Sequence, residues 1–124
     1  MVLIIGGAYQ GKLDFAKSTF DLSESDIFTC TGGEIDFSKR CIDHIEEFTL
    51  WCVQSGVDAV EFFRSCRERW QDSILICEDI SAGVVPMGAD MREWRQMNGL
   101  LCRYLSGEAA RVSRLFCGLE ERLK

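Results

Sequence analysis

A chain of 124 residues that is 47% apolar and has one proline has the length and composition of one compact domain, residues 1–124, not those of a disordered segment. Its net charge of −6 argues against a nucleic-acid surface, which would need a basic stripe. Apolar runs such as Met1–Ile5 and Ile74–Cys77 are far too short to cross a bilayer, and no positively charged region precedes the first, so neither a membrane span nor a signal peptide is expected.

In chain order, Val2–Ile5 is a short continuous apolar run ended by Gly6 and Gly7, the pattern of a strand covered on both faces. Lys12–Phe20 follows with helical spacing, Leu13, Ala16 and Phe20 on one side. Asp26–Cys30 predicts a second strand, broken by Thr31, Gly32 and Gly33. Ser38 is a cap for a long helix to about Gln54, its apolar positions Cys41, Ile42, Ile45, Phe48 and Cys52 three to four apart, with Gly56 as its stop. Asp58 starts another helix with Val60, Phe63, Cys66 and Trp70 inward. Ser73–Cys77 is the clearest strand, and it runs into Glu78 and Asp79. After the loop SAGVVPMGAD, a helix is predicted from about Asp90 to Leu105, and Val112–Cys117 is a final strand ended by Gly118. Strands separated by helices predict parallel pairing with right-handed crossovers, hence a three-layer α/β/α sandwich.

The chemistry is concentrated after the first strand. Gly6, four residues, Gly11 and Lys12 fit a phosphate-binding loop, G-x-x-x-x-G-K, placed as its mechanism requires between a strand and a helix. Glycines let the backbone curl so that N–H groups point inward, and the helix amino end adds partial positive charge. Gly6, Gly7, Ala8, Tyr9, Gln10, Gly11, Lys12 and Leu13 are therefore the candidate nucleotide-binding residues, with Lys12 reaching the outer phosphates in a P-loop NTPase-like fold. The alternative is a glycine-rich turn with a solvated lysine. Leu13 stands where the pattern carries a hydroxyl for Mg²⁺, and its side chain offers no oxygen. Asp14 is adjacent but should point to another helix face. Glu78 and Asp79 are the better metal candidates, because ligands gather at the carboxyl ends of parallel strands. A solvated strand terminus is the plain alternative for this pair.

Seven cysteines, an odd number without a C-x-x-C pair and with only one histidine beside them, predict buried free thiols in a reducing cytoplasm.

Taken together, LIIGGAYQGKLDFA at the start and the distal acid Asp79, the turn Gly83–Val84–Val85–Pro86, the helix pair Arg95 and Gly99, and the ending Gly118 to Lys124 resemble the adenosylcobinamide kinase / adenosylcobinamide-phosphate guanylyltransferase family of cobalamin assembly. The similarity covers about the first 20 and the last 52 residues. It implies a kinase that uses ATP or GTP with Mg²⁺, a corrinoid side-chain alcohol as substrate, and guanylyl transfer through a histidine–GMP intermediate. It also implies a homo-oligomer, for which Phe62 and Trp51 are candidate exposed aromatics. His44, four residues after Arg40, matches the family's R-I-x-x-H and is the candidate nucleophile, against the alternative of a plain helical histidine. The family's following R-P is replaced by Phe48 and Thr49, Ser81 stands for a family glycine, and the acidic strand in the middle is absent from the pattern. Two functions follow: a small phosphoryl- or guanylyl-transferase, or a catalytically weak nucleotide-binding regulator or scaffold from that family.

Overall fold

Val2–Gly6 becomes a central strand because it can be buried on both faces, and the sheet is built outward from it. A computed structural model describes residues 1–80 and 89–124 of the chain. In order they form β1 (Val2–Gly6), α1 (Lys12–Phe20), β2 (Ile27–Thr29), β3 (Cys41–Asp43), α2 (Ile45–Ser55), α3 (Ala59–Ser65), α4 (Arg67–Trp70), β4 (Ile74–Glu78), α5 (Ala89–Glu108), β5 (Arg111–Phe116) and β6 (Leu119–Arg122). The six strands lie in the order β2-β3-β4-β1-β5-β6, and only the β5–β6 pair is antiparallel.

Alternation along the strands divides the core into two. Leu3, Ile42, Leu75, Cys77 and Val112 point to one face, against Phe48, Phe63, Leu101 and Leu105 of α2, α3 and α5. Ile4, Cys41, Ile74, Ile76 and Leu115 point to the other, against Ala16 of α1 with Leu13 and Phe20 beside it. Helices thus cover both faces of a mostly parallel sheet, as strand–helix alternation predicts. No described helix is long and apolar enough to cross a membrane.

Three of the expected elements are corrected. The predicted helix from Ser38 is split: Cys41–Asp43 is a buried strand, and the helix begins only at Ile45. Cys41 and Ile42 fit a helical stripe by spacing, yet they pair with Ile74 and Leu75 of β4, and a three-residue strand buried on both faces leaves no period of two to read. The middle of the chain therefore does hold a strand that ends in an acid, Asp43. The predicted helix from Asp58 breaks at Cys66 into α3 and α4, while Phe63 and Trp70 stay buried as expected. The last strand is followed by a second, β6, joined to it by a two-residue turn, Cys117–Gly118, with both residues at positive φ. Its sequence, LEER, is exposed throughout and carries no apolar pattern.

Phe62 is not an exposed aromatic. The segment before β3 folds over it, with the Phe37 and Phe62 ring centres 6.3 Å apart, and it packs against the core, whereas Trp51 stays partly exposed over Phe48. All seven cysteines are free; Cys30, Cys41, Cys52 and Cys77 are buried, and Cys117 is exposed. Burial in apolar surroundings raises the Cys30, Cys41 and Cys52 thiols to about 12, so these behave as small hydrophobes.

Candidate functional site

The loop 7–11 leaves β1 at Gly6 and enters α1 at Lys12. Two glycines make this path possible. A Cβ on Gly6 would lie 2.7 Å from the Leu115 carbonyl oxygen of β5, and Gly11 precedes the helix at φ 91°. Among the described residues, no main-chain hydrogen bond uses the N–H groups of Ala8, Tyr9, Gln10, Gly11 or Lys12. The loop is held from behind: the Gln10 side chain accepts from the Cys117 amide at 2.6 Å, and its carbonyl from the Gly118 amide at 3.0 Å. Lys12 is buried, and its Nζ donates to the Gly7 carbonyl at 2.6 Å, which keeps the ammonium inside the loop.

This loop opens on a pocket of about 550 Å³ lined by Ala8 through Asp14 and by Asp43, His44 and Glu78. The parallel sheet explains the gathering. Gly6, Glu78 and Asp43 end the adjacent strands β1, β4 and β3, and β1 is where the chain order reverses across the sheet. Alternation decides which acids enter. Glu78 shares its side of β4 with Ile74 and Ile76, the α1 side, and Asp43 shares that side with Cys41. Asp79, one residue on, lines a separate cavity of about 170 Å³ with Arg95, Asn98, Gly99 and Cys102. Of the predicted metal pair, Glu78 thus joins the loop and Asp79 joins Arg95 and Gly99 next door. Asp14, expected on another face, also lines the pocket, as does Leu13. Ser81 and the turn Gly83–Val84–Val85–Pro86 lie outside the described residues.

His44 is not mid-helix. It stands at the junction of β3 and α2 with φ 57° and ψ 45°, a left-handed conformation uncommon for a residue with a Cβ. Its amide donates to Asp43 Oδ1 at 2.8 Å, and its ring lies with Nδ1 2.6 Å from Glu46 Oε2. Its Nε2 is 3.8 Å from Asp43 Oδ2, beyond hydrogen-bond range. The side chain is 47% exposed and faces the pocket, while Asp43 and Glu46 are only 4% and 2% exposed.

Behind His44 runs a buried polar network that the apolar pattern conceals. Glu46 Oε1 accepts the Glu78 amide at 2.8 Å. The Glu46 carbonyl accepts from Trp94 Nε1 at 2.8 Å and from Thr49 Oγ1 at 2.9 Å. Asn98 bridges α5 to β4, donating to the Glu78 carbonyl at 3.0 Å. Asp43, Glu46, Thr49, Trp94 and Asn98 were not site candidates from the sequence. The available signal was Thr49 and Asn98, polar residues set within the buried faces of α2 and α5.

Burial pushes the Asp43 and Glu78 carboxyls above their ordinary range, with Glu46 adding to it and Lys12 and His44 opposing it. For His44, burial opposes the charged ring, but the Glu46 hydrogen bond and the charges of Asp43, Glu46 and Glu78 outweigh it, and its pKa rises. Among the described residues, no three His, Cys, Asp or Glu side chains are grouped so as to hold a metal ion by themselves. Compared with the models of known protein families and with curated proteins, the sequence has no match.

Proposed function

We propose that this chain binds a nucleoside triphosphate on the loop between β1 and α1 and is a small P-loop transferase of the kind its sequence resembles, passing a phosphoryl or guanylyl group to a cobinamide side chain. The observation that supports this most is the single pocket shared by Lys12, the loop amides, Asp43, His44 and Glu78. Loop amides that no main-chain hydrogen bond uses among the described residues, together with a buried ammonium, suit an anion and stabilise charge that develops on phosphate oxygens. In guanylyl transfer, His44 Nε2 attacks the α-phosphorus of GTP, a P–N bond forms and pyrophosphate leaves. The acceptor's oxygen then attacks the same phosphorus, the P–N bond breaks and the imidazole is regenerated. Asp43 and Glu78 fit Mg²⁺, which commonly takes one or two carboxylates and completes its shell with phosphate oxygens and water. When bound, Mg²⁺ would neutralise phosphate charge at these two residues.

Leu13 favours the second reading, a nucleotide-binding regulator with weak catalysis, because it brings an apolar side chain to the pocket wall where a hydroxyl would meet the metal. Calorimetric titration with ATP and with GTP, each with and without Mg²⁺, tests the binding common to both readings. Lys12→Ala is expected to weaken affinity by roughly 10- to 100-fold, as for loss of a charge-assisted hydrogen bond; unchanged affinity refutes the loop assignment. GTP labelled at the α-phosphate should leave acid-labile label on the wild type and none on His44→Ala. Intact binding without label leaves the regulator. An assay on cobinamide tests the acceptor.

A further inference from the structure

Glu46 is an unusual carboxylate for a protein surface enzyme site: it does not touch the pocket, yet it is buried and both of its oxygens are engaged. One accepts the Glu78 amide at 2.8 Å and the other lies 2.6 Å from His44 Nδ1. It therefore ties the end of β4 to the β3–α2 junction, and its own backbone carbonyl is tied to α5 through Trp94. A carboxylate has only acceptors, so the nitrogen it faces must carry the proton. In the neutral ring, that leaves the lone pair on Nε2, the nitrogen on the far side of the ring from Glu46. We propose that Glu46 is a positioning residue that fixes the tautomer and aim of His44, presenting a bare Nε2 to the phosphate pocket. The inference rests on the proposed role of His44 for its meaning in catalysis, but the geometry it asserts is testable without any reaction.

The surroundings support one assignment of the proton. From β3, Asp43 Oδ2 stands 3.8 Å from Nε2, too far to hold a proton there by a hydrogen bond. From β4 comes Glu78 and from α1 Lys12, both lining the pocket; from α5, Trp94 and Asn98 contribute neutral groups to the network behind the ring. Glu46 is thus the one group in hydrogen-bond contact with the ring among the described residues. The left-handed backbone at His44 acts in the same direction, since it turns the side chain out of the helix path at the moment the chain leaves the strand.

His44 is the only histidine in the chain, so its ring nitrogens give an unambiguous ¹⁵N NMR signal from the uniformly labelled full-length protein. In the neutral ring, the wild type is expected to carry its proton on Nδ1. In Glu46→Gln, the amide oxygen can keep the Glu78 amide while the amide N–H₂ turns to the ring. Nδ1 then becomes the acceptor and the proton moves to Nε2. Labelling by α-labelled GTP should slow by at least about tenfold, as expected for a wrong tautomer, with a much smaller change in nucleotide affinity. A proton on Nε2 in the wild type overturns the inference without needing a variant that folds. An unchanged ring state in Glu46→Gln overturns it as well. Absence of label on a wild type whose Nδ1 carries the proton removes the nucleophile role of His44 and leaves the positioning by Glu46 intact, so the two failures are distinguishable.

Discussion

Gly6 and Leu13 bracket the loop between β1 and α1, and each makes a separate demand on it. Gly6 lies where β1 runs hard against β5, and any Cβ there meets the main-chain oxygen of Leu115 at 2.7 Å. Neither strand can yield without breaking the ladder, so Gly6→Ala is expected to cost about 1–3 kcal/mol, measured by chemical denaturation. Leu13 is half-buried and lines the pocket beside Lys12. If the proposed nucleotide site is right, Leu13→Thr should offer an oxygen where Mg²⁺ would sit, and calorimetry should show nucleotide affinity gaining a Mg²⁺-dependent component of about 1 kcal/mol, roughly fivefold. An equal response to Mg²⁺ in both proteins would place the metal elsewhere. Both residues were legible beforehand, because the loop pattern is local. His44 was legible as a candidate but in the wrong setting: a helical stripe predicted it as one more helical residue, whereas the strand pairing of Cys41 and Ile42 puts it at a turn.

Elements show the same division. The start of α3 follows from one residue: Asp58 Oδ1 accepts the amides of Val60 at 3.0 Å and Glu61 at 3.3 Å. Asp58→Ala should destabilise the chain by about 1 kcal/mol in a denaturant titration, the ordinary loss of an N-cap. The β5–β6 turn is a weaker fit to its sequence. Cys117 and Gly118 have φ of 51° and 77°, and two positive values in a two-residue hairpin call for Asn-Gly or Asp-Gly. Cys117→Asn should therefore stabilise the protein by about 0.5–1 kcal/mol in the same titration. The Cys117 amide that holds Gln10 is main chain and is retained. Helix starts and turns are local events and leave local signals. Strand β3 is not: three residues become a strand only because β4 and β2 lie on either side of them.

At the scale of the molecule, the pocket imposes a pH dependence. Asp43, Glu78 and His44 all bind protons more tightly in the folded chain than their ordinary values require. The folded state thus holds extra protons, and stability falls with rising pH wherever that is so. The contribution is complete below the ordinary carboxylate and imidazole values, near 4 and 6.5, and is lost as pH rises through the higher folded ones. The carboxyls held low, Asp26, Asp36 and Glu120, act in the opposite sense, but solvent screens such exposed groups. Melting temperature is expected to fall between about pH 5 and pH 8. Asp43→Asn should flatten that fall, since the amide oxygen can still accept the His44 amide while the titrating group is gone. A melting temperature that rises steadily over that range would count against the raised values. Nucleotide should bind more tightly at the acid end, where the pocket carries less negative charge.

The amino-acid sequence by itself determined the sheet's parallel core, the loop between β1 and α1, the alternation of strands and helices, and the apolar residue Leu13 after Lys12. Each of these is carried by residues close in the chain, whose spacing, turn chemistry and burial preference act locally. Only the tertiary structure decided that Asp43 ends a strand, that Glu78 enters the pocket while Asp79 enters the next cavity, and that Glu46 holds His44. Those facts depend on which strands become neighbours and on the side of the sheet each residue faces. A shift of one residue along β4 would exchange Glu78 for Asp79, and that register is set by contacts with β1 and β3, which are distant in the chain.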